Sequence, residues 1–263
     1  MKVMGIVNVT PDSFSDGGLF FDHEKAIERG LQLVSEGADV LDIGGESTRP
    51  GADAGPLEEE LRRVIPVVEG LAGAAPVSID TTKAEVARQA IEAGAKIVND
   101  VTALRGDPEM VGVVAETGVE LVLMHMLGTP RTMQDDPRYD DVVAEVAEFL
   151  AVQAGVAEAA GVERDKIWID PGIGFGKTVE HNLLLLRSTS RFVEMKLPVL
   201  VGASRKRFIG ELGGGAPEGR RLGGTIAACL AARERGAAMV RVHDVAPVVQ
   251  AILVASAIEE VGE

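Results

Sequence analysis

Apolar residues recur along this chain in short runs of about five, each followed by a longer stretch where they return every three or four positions. The short runs are rich in Val and Ile and nearly continuous, the pattern of strands covered on both faces. They predict strands at Val3–Val9, Asp39–Ile43, Pro76–Asp80, Lys96–Asp100, Val119–Met124, Lys166–Asp170, Pro198–Gly202 and Met239–His243. Between them, stripes such as Ala26, Ile27, Leu31 and Val34, or Leu57, Leu61, Val64, Ile65 and Val68, predict amphipathic helices. Others are predicted from about Asp140 to Ala160, around Leu183 to Leu186, from about Leu222 to Arg235, and from about Ala246 to Val261. The punctuation agrees. Asp22 is placed to cap a helix, Pro56 to begin one, and Asp107-Pro108 to open another. Thr82 with Glu85 has capping-box spacing, while Gly37, Gly94 and Gly118 stand where helices end.

Eight strand–helix units fill 263 residues with no linker or shift of composition, so a single domain over 1–263 is expected. The fold this predicts is a (β/α)8 TIM barrel. A doubly wound open sheet is the alternative, but no G-x-G-x-x-G follows the first strand. The run Gly172-Ile173-Gly174-Phe175-Gly176-Lys177 has neither that spacing nor the frame of a P-loop.

Composition narrows the function. Aromatics make up only 3% of the chain, so the core must be aliphatic. A net charge of −15 argues against nucleic acid or an acidic membrane as partner, and an anionic ligand would need locally gathered cations. The one cysteine, Cys229, excludes an internal disulfide and a cysteine zinc site, and reads as a buried thiol. No apolar run approaches the roughly 18 residues of a membrane span. The N-terminus carries no signal-peptide pattern, so a cytoplasmic protein is expected.

Nearly every predicted strand ends in a side chain able to bind or react: Asn8, Asp42, Asp80, Asn99, His125, Asp170, Lys206 just past strand seven, then Arg241 and His243. The second strand opens through Gly44-Gly45 into Glu46, Ser47, Thr48 and Arg49, with Pro50-Gly51 delaying any helix. In a barrel these tips converge on one face. Taken singly, an aspartate after a strand is usually a turn former or helix cap. Taken jointly, the charges sort into two groups, expected on opposite sides of the mouth. Asp80, Asn99 and Asp170 suit a flat heterocycle with donor and acceptor edges, whereas Arg49, Arg205, Lys206, Arg241 and His243 suit a phosphate. Arg205 and Arg207 also fit solvated surface charge. No G-x-S-x-G elbow or paired-histidine spacing supports a covalent or zinc mechanism. Asn8 offers a neutral oxygen that could help hold Mg²⁺ on a phosphate.

The run Met4–Gly18 (MGIVNVTPDSFSDGG) and the run Asp42–Gly51 (DIGGESTRPG) are long and specific, and both resemble dihydropteroate synthase. So do Ser78-Ile79-Asp80-Thr81, Val98-Asn99-Asp100-Val101, Asp170–Lys177, Ser204-Arg205-Lys206 and Arg241-Val242-His243-Asp244, in order along the whole chain. The resemblance implies a (β/α)8 barrel, a homodimer, and the joining of 6-hydroxymethyl-7,8-dihydropterin diphosphate to 4-aminobenzoate in folate synthesis. It implies that Asp80, Asn99, Asp170 and Lys206 hold the pterin. Asn8 with Mg²⁺, Arg49, Arg241 and His243 would hold the diphosphate. Thr48, Pro50, Phe175 and Lys206 would frame the aminobenzoate. No protein nucleophile is needed if the C–O bond breaks early and the carboxylates favour the resulting cation.

Three departures stand out. Arg207 occupies a position where many members carry a serine beside the aminobenzoate, and Ile173 replaces a common Phe. The sequence opens directly on strand one, without the segment that often covers the barrel base, so exposed apolar residues are expected there. Two rival readings share the barrel: a pterin-dependent methyltransferase acting with a corrinoid partner, and a non-catalytic pterin-binding paralogue. The methyltransferase has no need of Asn8, Arg49, Arg241 and His243 around a diphosphate, and the intact charge groups argue against the paralogue.

Overall fold

The structure is a computed structural model that describes residues 1–9, 23–46 and 55–261. Eight parallel strands form one sheet: β1 (Lys2–Asn8), β2 (Val40–Gly44), β3 (Val77–Asp80), β4 (Ile97–Asp100), β5 (Glu120–Met124), β6 (Ile167–Asp170), β7 (Leu200–Val201) and β8 (Met239–Val242). Their order is β6-β5-β4-β3-β2-β1-β8-β7, and a parallel bridge between Ile169 and Val199 joins the two ends into a barrel. The helices between them are α1 (His23–Ser35), α2 (Leu57–Leu71), α3 (Ala84–Glu92), α4 (Met110–Thr117), α5 (Val142–Ala159), α6 (Val179–Arg187), α7 (Thr189–Val193), α8 (Arg207–Leu212), α9 (Leu222–Glu234) and α10 (Val245–Glu260).

Alternation divides each strand between two environments. One set of side chains points outward under the helices, among them Val3 and Val7 of β1, Leu41 and Ile43 of β2, and Leu121 and Leu123 of β5. The other set fills the barrel. Its lower layer is Met4, Val40, Ile97, Val122, Trp168, Leu200 and Met239. These residues are buried. Polar side chains cover them: the Trp168 indole N–H donates to Glu120 Oε2 (2.6 Å), and Lys2 Nζ lies 5.8 Å from the centre of its ring. Above this plug the inward positions become Asp42, Ser78, Asp80, Asn99, Asp170 and Arg241. The apolar plug therefore closes one end of the barrel, and polar groups occupy the other.

Two local expectations fail. The seventh strand is only Leu200–Val201, because Pro198 has no N–H for a ladder and contributes only its carbonyl, to Ile169 N–H (3.0 Å). Thr82 and Glu85 form no capping box. Asp107, from the next connection, accepts the Ala84 N–H instead (2.9 Å), and α3 begins after Lys83. The N-cap of α4 is Glu109, whose N–H donates to Asp107 Oδ1 (3.0 Å). Asp22 lies outside the described residues. Cys229 lies on the buried face of α9, and burial pushes its thiol up to about 12.

Candidate active site

The C-terminal tips of the strands open into a cavity of about 810 Å³, within the size range of small-molecule sites. Asn8, Asp80, Phe175, Lys206, Arg241 and His243 all line it. Asn99 and Asp170 stand behind these, buried, as register partners of Asp80 and Met124. Gly202 shows how near the two charge types lie. A Cβ built there would be 3.6 Å from Asp170 Oδ2 and 4.0 Å from Arg241 Cβ. Thr48, Arg49 and Pro50 lie outside the described residues.

The two charge groups are not separated as the sequence predicts. Arg241 reaches across the barrel, donating from Nε to Asp42 Oδ2 (2.5 Å) and from Nη2 to Asp80 Oδ2 (2.7 Å). The reason is electrostatic: two fully desolvated carboxylates need a counter-charge within contact distance. Asn99 Nδ2 also donates to Asp42 Oδ2, at 3.3 Å. Asp42 Oδ1, Asp80 Oδ1 and Ser78 Oγ are buried with no partner among the described residues. Unpaired acceptors of this kind are costly in isolation, and of the three residues only Asp80 lines the cavity.

Burial pushes the Asp170 carboxyl up to about 6, against the opposing pull of the Gly172 N–H (2.7 Å), Lys206 and Arg241. Asp80 is also raised by burial, with Arg241 opposing. His243 moves the other way, pushed down to about 3 by burial and by the nearby Arg241, Arg205 and Lys206. Ser204 Oγ accepts the His243 N–H (3.1 Å) and sits 3.0 Å from the ring Nδ1. The hydroxyl and the ring Nδ1 thus share a hydrogen bond, and the low pKa keeps the imidazole neutral.

Arg205 is not surface charge. It adopts φ +56°, forms a two-pronged ion pair with Asp244 (2.9 and 2.6 Å), and is held at both backbone ends by Thr225 and Arg221. This lock fixes Ser204 toward His243 on one side and Lys206 on the other. Lys206 Nζ lies 3.9 Å from the centre of the Phe175 ring. Arg207 does behave as an exposed residue, 82% accessible at its side chain and paired with Glu211.

Two features escape the sequence reading. Lys177 is 3% exposed, and its ammonium lies inside the glycine-rich turn after β6. Glu60, 2% exposed on α2, accepts from Thr81 Oγ1 (2.7 Å) and pairs with Lys83 Nζ (2.5 Å). Lys83 also binds Glu46, whose other oxygen accepts the Gly55 N–H. The signal available beforehand was a lysine and a glutamate at positions where a helix stripe or a buried turn predicts apolar residues.

Fold and site together define a barrel enzyme of the pterin-binding class, and the profile of the pterin binding enzyme family matches residues 4–243. The dihydropteroate synthase of Escherichia coli (strain K12) is 47% identical over 257 residues, covering 97% of this chain and 90% of its own. The structure of Xanthomonas albilineans dihydropteroate synthase with 4-aminobenzoic acid superposes with a TM-score of 0.93 at 54% identity, covering 99% of this chain and 93% of that one. The same enzyme in complex with 7,8-dihydropteroate gives 0.89 at 50% identity, covering 99% and 94%. The chain belongs to the pterin-binding enzyme family and, within it, to the dihydropteroate synthases, which are transferases. Among the described residues no helix is long and apolar enough to cross a membrane.

Proposed function

We propose that this chain joins 6-hydroxymethyl-7,8-dihydropterin diphosphate to 4-aminobenzoate, giving 7,8-dihydropteroate and diphosphate in folate biosynthesis. The observation that carries the reading is Asp80, a buried carboxylate with one oxygen unpaired among the described residues, on the wall of a cavity that Lys206 and His243 also line. A pterin edge offers the N–H donor that oxygen lacks, with Asn99 and Asp170 beside it and Lys206 above. His243 and Arg241 face the diphosphate, joined by Arg49. Phe175 and Lys206 frame the aminobenzoate, joined by Thr48 and Pro50.

No cluster of three or more His, Cys, Asp or Glu among the described residues could hold a metal alone. Asn8 lines the cavity with one neutral oxygen, which fits a Mg²⁺ that takes its other ligands from phosphate and water. When bound, Mg²⁺ would neutralise charge on the diphosphate. The chain's own residues account for the rest. The C–O bond breaks, and its electron pair leaves with the diphosphate. Asp80 and Asp170 stabilise the cation left on the pterin methylene, and His243 and Arg241 hold the departing anion. The amine lone pair of aminobenzoate then bonds to that carbon, and the nitrogen loses its proton. Homodimerisation fits the apolar residues exposed on α10, Leu253, Val254 and Ile258.

The test is diphosphate release from the pterin diphosphate with Mg²⁺. Release that requires 4-aminobenzoate supports the synthase. A chain that binds the pterin yet releases nothing would support the non-catalytic or methyltransferase reading.

A further inference from the structure

The turn after β6 is held more firmly than a loop needs to be. Three successive carbonyls each take a side-chain donor: Gly174 from Gln134 Nε2 (2.8 Å), Phe175 from Lys177 Nζ (2.9 Å) and Gly176 from Tyr139 Oη (2.9 Å). Gln134 and Tyr139 lie before α5, whereas Lys177 folds back from the end of the turn itself. Its ammonium also sits 3.0 Å from His125 Nδ1, at the tip of β5. That ring is fixed in turn, edge-on to Phe149 with centroids 4.9 Å apart. Lys177 thus ties the turn to the neighbouring strand end.

The turn carries one aromatic side chain, Phe175, packed with Val101, Met124, Met126 and Met133. The face of Phe175 supports Lys206. We propose that Lys177 is a positioning residue for the aminobenzoate step: by holding the Phe175 carbonyl against the β5 tip, it sets the ring and the Lys206 ammonium stacked on it. The inference rests on the synthase reading given above.

A buried ammonium is an expensive brace, and burial pushes Lys177 down to about 7, with the Asp170 carboxylate opposing. A methionine would fill the space more cheaply. The amine is suited to the place because it can donate to the Phe175 carbonyl and meet the His125 ring nitrogen at once.

The experiment compares wild type, Lys177→Met and Tyr139→Phe in steady-state diphosphate release, varying each substrate in turn. Lys177→Met is expected to raise KM for 4-aminobenzoate at least tenfold and KM for the pterin diphosphate less than threefold. Tyr139→Phe, which removes the adjacent donor, is expected to show the same bias more weakly. A purely structural brace would lower kcat with the folded fraction and leave both KM values alone. An aminobenzoate KM equal to wild type in the folded variants overturns the proposal, whatever happens to kcat. If Lys177→Met fails to fold, Tyr139→Phe and Gln134→Leu decide by the same reading. A wild type without aminobenzoate-dependent release sinks the synthase reading and this inference with it, whereas a working wild type with unmoved variant KM values sinks the inference alone.

Discussion

Asp170 is a carboxylate in a desolvated pocket, and its raised pKa of about 6 has a sign that can be checked. The ionised form exists above that value and is the one able to accept N–H donors. Affinity for the pterin diphosphate is therefore expected to weaken as pH falls through about 6, measured by titration calorimetry. Asp170→Asn should remove that step and lower kcat by on the order of 10²–10³, the range for losing one preorganised electrostatic group. His243 is expected to stay neutral across the working range. Its ring proton signals in NMR should not titrate between about pH 5 and 8. Asp80, Asn99 and Asp170 were legible because each ends an apolar run. The Arg241–Asp42 pair was not, since its partners are 199 residues apart and meet only when the barrel closes. A sequence shows which face of a strand a residue takes, not which strand it reaches across to.

Elements carry the next level of constraint. Gly172 begins the turn after β6 at φ +70°, and a Cβ there would lie 1.9 Å from the His125 carbonyl oxygen. Gly172→Ala is expected to cost more than about 2 kcal/mol in denaturant unfolding, since steric overlap adds to left-handed strain. Gly202→Ala should behave oppositely. Its Cβ would meet only ordinary contacts, so stability should hold within about 0.5 kcal/mol. The added methyl would stand between Asp170 and Arg241, and pterin binding should weaken at least tenfold. Lys83→Met would leave Glu60 buried beside Thr81 without its cation, a loss of about 2–3 kcal/mol. Strand and helix identity followed from periodicity; their boundaries did not. Strand seven lost its ends to Pro198 and Gly202, and the α3 cap went to Asp107 because a carboxylate from a neighbouring loop outcompeted the local threonine. Such competition is tertiary and leaves no local mark.

At the scale of the molecule, one end of the barrel is sealed by an apolar layer and the other gathers a cation among carboxylates. This division bears on how a protein of net charge −15 can serve an anionic substrate: Arg205, Lys206 and Arg221 line the cavity beside Arg241, and His243 adds a neutral hydrogen-bonding ring. The barrel was legible from eight repeats of one pattern. The interleaving of charges inside it was not, because burial imposes counter-ions that sequence order does not reveal. The central claim is that one mouth orients both halves of a pterin diphosphate. A crystal structure of the complex tests it most directly. The account predicts the ring edge against Asp80, Asn99 and Asp170, with the diphosphate beside His243 and Asn8. A ring lying outside the barrel, or a diphosphate turned away from His243, would contradict it.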